Sequence, residues 1–221
     1  MPITQIIFDC DGVLIDSELL IAEVEAGLRT ELGFPITVEE YIRKFVGLST
    51  RSREYTDDLV KLPDNYYELV SERVRESMHK NLRAMPGVRG FIDCLSIDKS
   101  IASSSTPEEL AFSLKIAGLY EDFVGRIFSV TMVEHPKPAP DVYLYVAKQT
   151  NHKPEDCLVI EDTVVGVTAA HRAGMTVIGF TGASHNHGNS EAALRDAGAS
   201  SVCSSFAELP ELLLRMQIEY S

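Results

Sequence analysis

Positive charge is what this chain has least of. Its 221 residues carry 20 lysines and arginines against 33 aspartates and glutamates, a formal net charge of −13. A surface of that sign repels nucleic acid and anionic membranes. It repels phosphorylated metabolites too, unless a local cluster reverses the field. Cysteine is also scarce. Cys10, Cys94, Cys157 and Cys203 lie far apart with no CxxC pair, which speaks against a disulfide framework or a zinc site and for a reducing compartment. No apolar run approaches the roughly 18 residues of a membrane span. The first apolar run, Ile6-Ile7-Phe8, stops at Asp9 with no basic segment ahead of it, which is not the pattern of a signal peptide. Internal repeats and low-complexity tracts are missing as well. The expectation is a cytoplasmic monomer that binds neither nucleic acid nor membrane.

What remains is the composition of a globular protein, 45% hydrophobic and 24% charged. Ile3 to Phe8 reads as a buried strand ending in the polar turn Asp9-Cys10-Asp11-Gly12. From Ser17 to Ala84 the texture is helical: Leu19, Leu20, Val24 and Leu28 recur at helical spacing, and Leu62, Tyr66, Leu69, Val70 and Val74 continue it. Met85-Pro86-Gly87 then punctuates the chain. Beyond it, strands are expected at Ser100–Ala102, Ile127–Val130, Cys157–Ile160, Thr176–Phe180 and Val202–Cys203. Helices are expected near Val88–Leu95, Pro107–Ala117, Ala139–Gln149, Val164–Ala173 and Leu209–Met216. Repeated strand–helix units predict an α/β fold, a doubly wound, Rossmann-like parallel sheet covered on both faces. The expected layout is a core of residues 1–16 and 85–221 interrupted by an all-helical cap at 17–84. That insertion holds half of the basic residues, so the surplus of acid belongs to the core.

In an open parallel sheet, ligands bind beyond the carboxyl ends of the strands. The polar residues that follow each strand are therefore the candidates. They are Asp9 and Asp11, the run Ser103-Ser104-Ser105-Thr106, Lys137, and the pair Glu161-Asp162. Asp9 and Asp11, two apart at a strand end, leave on one side. Carboxylate oxygens are hard ligands suited to Mg²⁺. Hydroxyls and N–H groups at a helix start can hold a phosphoryl group. Each feature also has a plain structural explanation: solvated turn carboxylates, an acidic helix start, a serine-rich cap, a surface lysine.

The order and wording of these segments resemble the haloacid dehalogenase superfamily, in its helical-cap subgroup of β-phosphoglucomutase-like and phosphoglycolate phosphatase-like proteins. The segments are Phe8-Asp9-Cys10-Asp11-Gly12-Val13, Ala102-Ser103-Ser104-Ser105, Lys137-Pro138-Ala139-Pro140-Asp141 and Ile160-Glu161-Asp162-Thr163. The resemblance implies that Asp9 is a nucleophile forming an aspartyl-phosphate. Asp11 is implied as the acid and base, and Ser103 and Lys137 as holders of the phosphoryl group, with Ser104 contributing its backbone. Mg²⁺ is implied on Asp9, Glu161, Asp162 and the backbone carbonyl of Asp11.

Within that superfamily, Asp11 argues against a dehalogenase, which lacks the second aspartate. The absence of lysine from residues 17–28 argues against a phosphonoacetaldehyde hydrolase. The mutases carry a histidine ten residues after the second aspartate, and this chain has Ile21 there. Hydrolysis is therefore favoured, with a phosphosugar mutase as the alternative. A phospho-acceptor domain or a non-catalytic sugar-phosphate binder is the alternative of another class. The expected substrate is a small phosphomonoester, of a sugar or polyol, whose far end Arg51 and Arg53 could meet; both could equally be solvated helix arginines. His185-Asn186-His187 sits among Gly, Ser and Asn and reads as a surface loop.

Overall fold

The computed structural model describes residues 3–45, 62–184 and 190–219. Arg51, Arg53, His185 and His187 lie outside them. The chain divides into two compact units, Met1–Asp16 with Arg83–Ser221, and Ser17–Leu82.

The larger unit is built on a six-stranded sheet of β1 (Gln5–Phe8), β2 (Asp98–Ser103), β3 (Ile127–Ser129), β4 (Cys157–Glu161), β5 (Thr176–Phe180) and β6 (Ser201–Cys203). All pairings are parallel and the spatial order is β3-β2-β1-β4-β5-β6. This is the doubly wound order, and its direction reverses between β1 and β4. β1 and β4 are buried along their whole lengths, as expected of strands covered on both faces. The period-two alternation divides their side chains. Ile7 joins Val159, Val142, Val146, Val167 and Ala170 on one face. Phe8 turns to the other, edge-on to Phe91 and Phe123 at ring centroid distances of 6.3 and 6.0 Å. Phe206 extends this aromatic row to Phe91 and Phe180.

The helical unit contains, among the described residues, α1 (Glu18–Glu31), α2 (Val38–Phe45) and α3 (Tyr66–Asn81). Its core joins Ala22 and Ala26 of α1 to Tyr41, Ile42 and Phe45 of α2. The stripe of α1 differs from the Leu19, Leu20, Val24, Leu28 reading: Glu25 and Arg29 are buried, while Leu19 and Val24 are only partly so. The guanidinium of Arg29 lies 4.6 Å from the Phe45 ring centroid, and Glu25 accepts a hydrogen bond from the Tyr66 hydroxyl. Two charged side chains thus enter a core that an apolar pattern cannot reveal.

The sheet unit continues with α4 (Val88–Asp93), α5 (Pro107–Ile116), α6 (Asp141–Thr150), α7 (Val164–Arg172), α8 (Glu191–Asp196) and α9 (Leu209–Arg215). Three differences from the sequence reading have local causes. The second crossing between units falls at Leu82–Arg83 rather than at 84–85, because Leu82 is already extended and Ala84 bridges Ile15. β4 runs one residue further and takes Glu161 into the sheet, paired in register with Gly179. α8 was not expected. It is six residues long with one fully buried apolar side chain, Leu194, too short to show a period.

Candidate active site

The register of the sheet builds the site. Phe8 pairs with both Ile101 and Ile160, so Asp9, the next residue, lies beside the ends of β2 and β4. Its N–H donates to the Ile160 carbonyl at 2.9 Å. The chain then turns sharply: the N–H groups of Leu14 and Ile15 return to the Cys10 carbonyl, and Gly12 adopts φ +81°, open to glycine without strain. Asp11 stands in this turn, partly exposed.

Lys137 comes from the loop after β3. Its backbone is partly exposed, but its side chain is only 4% exposed. Its Nζ donates to Asp9 Oδ1 at 2.6 Å, to Glu161 Oε1 at 2.9 Å and to the Ala102 carbonyl at 3.1 Å. The ring of Tyr143 in α6 has its centroid 5.0 Å from the same nitrogen. Asp141, at the start of α6, fastens the loop by accepting from the N–H of His135 and contacting its ring. The Lys137–Pro138 peptide is cis.

Glu161 bends back over the start of α7. Its Oε2 accepts from the Thr163 N–H at 2.6 Å and from the Thr163 hydroxyl at 2.9 Å. That hydroxyl in turn caps α7 by accepting from the Gly166 N–H. Asp162 is 1% exposed. Asp9, Glu161 and Asp162 each bring a carboxylate oxygen within 4.8 Å of the others. Three buried carboxyl groups therefore share one corner, and two of them, those of Asp9 and Glu161, bond the Lys137 ammonium. Burial and the neighbouring Glu161 and Asp162 push the Asp9 carboxyl well above its ordinary value, with Lys137 opposing them. Burial by itself would lower the Lys137 ammonium, but Asp9 and Glu161 outweigh it and hold it well above its usual value.

Ser103, the last residue of β2, is buried, and its Oγ accepts from the Ser105 N–H at 3.1 Å. Ser104 is exposed. Ser105 donates its hydroxyl to Asp11 Oδ2 at 2.8 Å. α5 follows, capped by Thr106 and Glu109 in a reciprocal box.

Asp9, Lys137, Glu161 and Asp162 thus meet at the point where the strand order reverses. Asp11 and Ser103 are joined to the same edge through Ser105. Four contributors were not assigned from the sequence: Tyr143, Thr163, Gly166 and Ser105. Ser105 was visible in the hydroxyl run, but its contact to Asp11 spans 94 residues. Gly166 is needed because a Cβ there would lie 1.5 Å from Glu161 Oε1.

A family model described as haloacid dehalogenase-like hydrolase matches residues 6–180. The chain belongs to this family. It is 32% identical over 205 residues to a phosphorylated carbohydrates phosphatase of Thermotoga maritima, covering 88% of this chain and 91% of that one. It is 26% identical over 191 residues to the 6-phosphogluconate phosphatase of Escherichia coli, covering 83% and 85%. Among solved structures, a hydrolase of the same family from Deinococcus radiodurans, with bound phosphate and sodium, superposes with a TM-score of 0.83 at 30% identity, covering 100% of this chain and 99% of that one. The enzyme class expected from the sequence, a family hydrolase acting on phosphoric monoesters, is the class to which the two named phosphatases belong. No helix among the described residues is long and apolar enough to cross a membrane.

Proposed function

We propose that this hydrolase is a Mg²⁺-dependent phosphatase of small phosphorylated carbohydrates, working through an aspartyl-phosphate on Asp9. The observation that carries the reading is the convergence of Asp9, Lys137, Glu161 and Asp162 at the switch point of the sheet.

The donor set suits a hard divalent cation. Asp9, Glu161 and Asp162 each offer a hard oxygen ligand, and these oxygens lie within 4.8 Å of one another. Asp9, Asp162 and Glu161, with the backbone carbonyl of Asp11, would hold Mg²⁺. Bound there, the ion would screen the repulsion between Asp9 and the phosphoryl oxygens.

The chain's own residues account for the rest. Asp9 attacks phosphorus, and the bond to the leaving oxygen breaks. Asp11 gives that oxygen its proton, then takes a proton from the water that attacks the aspartyl-phosphate and releases inorganic phosphate. Lys137 neutralises the carboxylate of Asp9 and the charge on the transferring group. An Oγ lone pair of Ser103 is taken by the Ser105 N–H, which leaves the hydroxyl proton to donate to a phosphoryl oxygen. Carbohydrate phosphates are favoured because two relatives, matched over 85% and 91% of their own lengths, are named for them.

The test is phosphate release across a panel of phosphorylated sugars, polyols and short acids. Turnover is expected with Mg²⁺, lost in EDTA and lost in Asp9→Asn; near wild-type turnover by Asp9→Asn would overturn the reading. β-Glucose 1-phosphate with a bisphosphate activator is expected to yield free phosphate. Predominant glucose 6-phosphate would establish the mutase instead.

A further inference from the structure

Asp11 stands in a turn and is partly exposed. A proton donor that wanders is a poor one, because proton transfer needs hydrogen-bond reach of the leaving oxygen. Ser105 Oγ holds Asp11 Oδ2 at 2.8 Å. Ser105 is itself fixed on both of its peptide groups. Its N–H donates to Ser103 Oγ at 3.1 Å, and its carbonyl accepts from Ser129 Oγ at 2.7 Å. Ser103 and Ser129 are buried at the ends of β2 and β3, paired in register.

The direction of this chain is set by counting lone pairs. Ser129 Oγ accepts from both the N–H and the hydroxyl of Thr131, at 3.1 and 3.0 Å. A hydroxyl has two acceptor positions and one proton, so the Ser129 proton goes to the Ser105 carbonyl. Helix capping does not explain Ser105, since the Thr106–Glu109 box already caps α5. We propose that Ser105 is a positioning residue for Asp11, anchored by the ends of β2 and β3 through Ser103 and Ser129. A hydroxyl suits that task because Oγ can donate to a carboxylate and accept from a carboxylic acid. The inference rests on the phosphatase reading of Asp11 given above.

A residue that places a proton donor matters in proportion to how badly the leaving group needs a proton. The experiment compares kcat/KM for a sugar phosphate, whose alkoxide must be protonated, with that for 2,4-dinitrophenyl phosphate, whose phenolate need not be. Ser105→Ala is expected to lose about tenfold to hundredfold on the sugar phosphate, the range of one hydrogen bond to a charged group. On the dinitrophenyl ester it should stay within about twofold. Ser105→Thr, which keeps the hydroxyl, should restore the sugar phosphate rate, and Ser129→Ala should show a weaker loss of the same selectivity. Equal loss on both esters, or none, would overturn the role of Ser105. Asp11→Asn separates the two levels: if it shows no selectivity between the esters, the acid–base assignment of Asp11 fails. If it is selective and Ser105→Ala is not, only the inference about Ser105 fails.

Discussion

Replacing Gly166 by alanine sets two physical effects against each other. In a helix interior, alanine is favoured over glycine by about 0.5–1 kcal/mol, and Gly166 lies within α7. Propensity alone therefore predicts a more stable protein. The space predicts the reverse. The new Cβ would stand 1.5 Å from Glu161 Oε1 and 2.0 Å from its Cδ, so the carboxylate must leave its place. It would give up Lys137 at 2.9 Å and the two Thr163 donors at 2.6 and 2.9 Å. Hydrogen bonds to charged groups are worth about 1.5–3 kcal/mol each, and breaking a buried ion pair costs about 3–5 kcal/mol. The steric effect wins, with a net loss of about 3 kcal/mol. For a chain of this size that lowers the melting temperature by roughly 6–12 °C.

Thermal or urea unfolding of Gly166→Ala measures the loss, and a double variant identifies its origin. In Glu161→Ala/Gly166→Ala the colliding side chain is gone. The alanine at 166 should then cost nothing beyond Glu161→Ala and could regain the helix propensity. A single variant melting at or above wild type would rule out the clash with Glu161, as would a strictly additive double variant.

Two further perturbations probe the rest of the larger unit. Arg89 grips Asp122 through two hydrogen bonds, at 2.6 and 2.8 Å, which hold the Asp122 carboxyl below its usual value. Its contribution is fully present above the unfolded carboxylate pKa of about 3.9 and is lost as pH falls through the lower folded value. Arg89→Ala should therefore be less stable at pH 7 by about 1 kcal/mol, and the difference from wild type should shrink as pH falls below the unfolded carboxylate value; a loss that stays constant with pH in denaturant titrations would contradict this. Burial pushes the thiols of Cys157 and Cys203 up to about 12 and raises that of Cys10, while Cys94 is exposed. A thiol reagent at pH 8 should find one fast group in the native protein, absent in Cys94→Ser, and four after unfolding.

Much of the site was legible because its residues interrupt strong patterns. Asp9 ends an apolar run that can only be a buried strand, and Glu161-Asp162 end another. The parallel sheet then brings such interruptions to one edge. The contacts that orient them were not legible. Tyr143 sits beside Lys137 because α6 packs under the loop, Gly166 is read as helix until Glu161 is seen folded against it, and Ser105 meets Asp11 only across the β1–β2 pairing. Glu161 was expected after its strand as a metal ligand; within the sheet it also holds Lys137 and Thr163. Local pattern reports which face a residue shares, while these contacts depend on register and on the return of distant segments.

In the proposed mechanism, Asp9 carries the phosphoryl group during turnover. Acid quenching of the enzyme during hydrolysis of a ³²P-labelled substrate, followed by peptide mapping, tests it directly. A hydroxylamine-labile label is expected on the peptide containing Asp9 and is expected to be absent from Asp9→Asn. Label on another residue, or an unlabelled protein that still turns over substrate with Asp9→Asn in place, would contradict it.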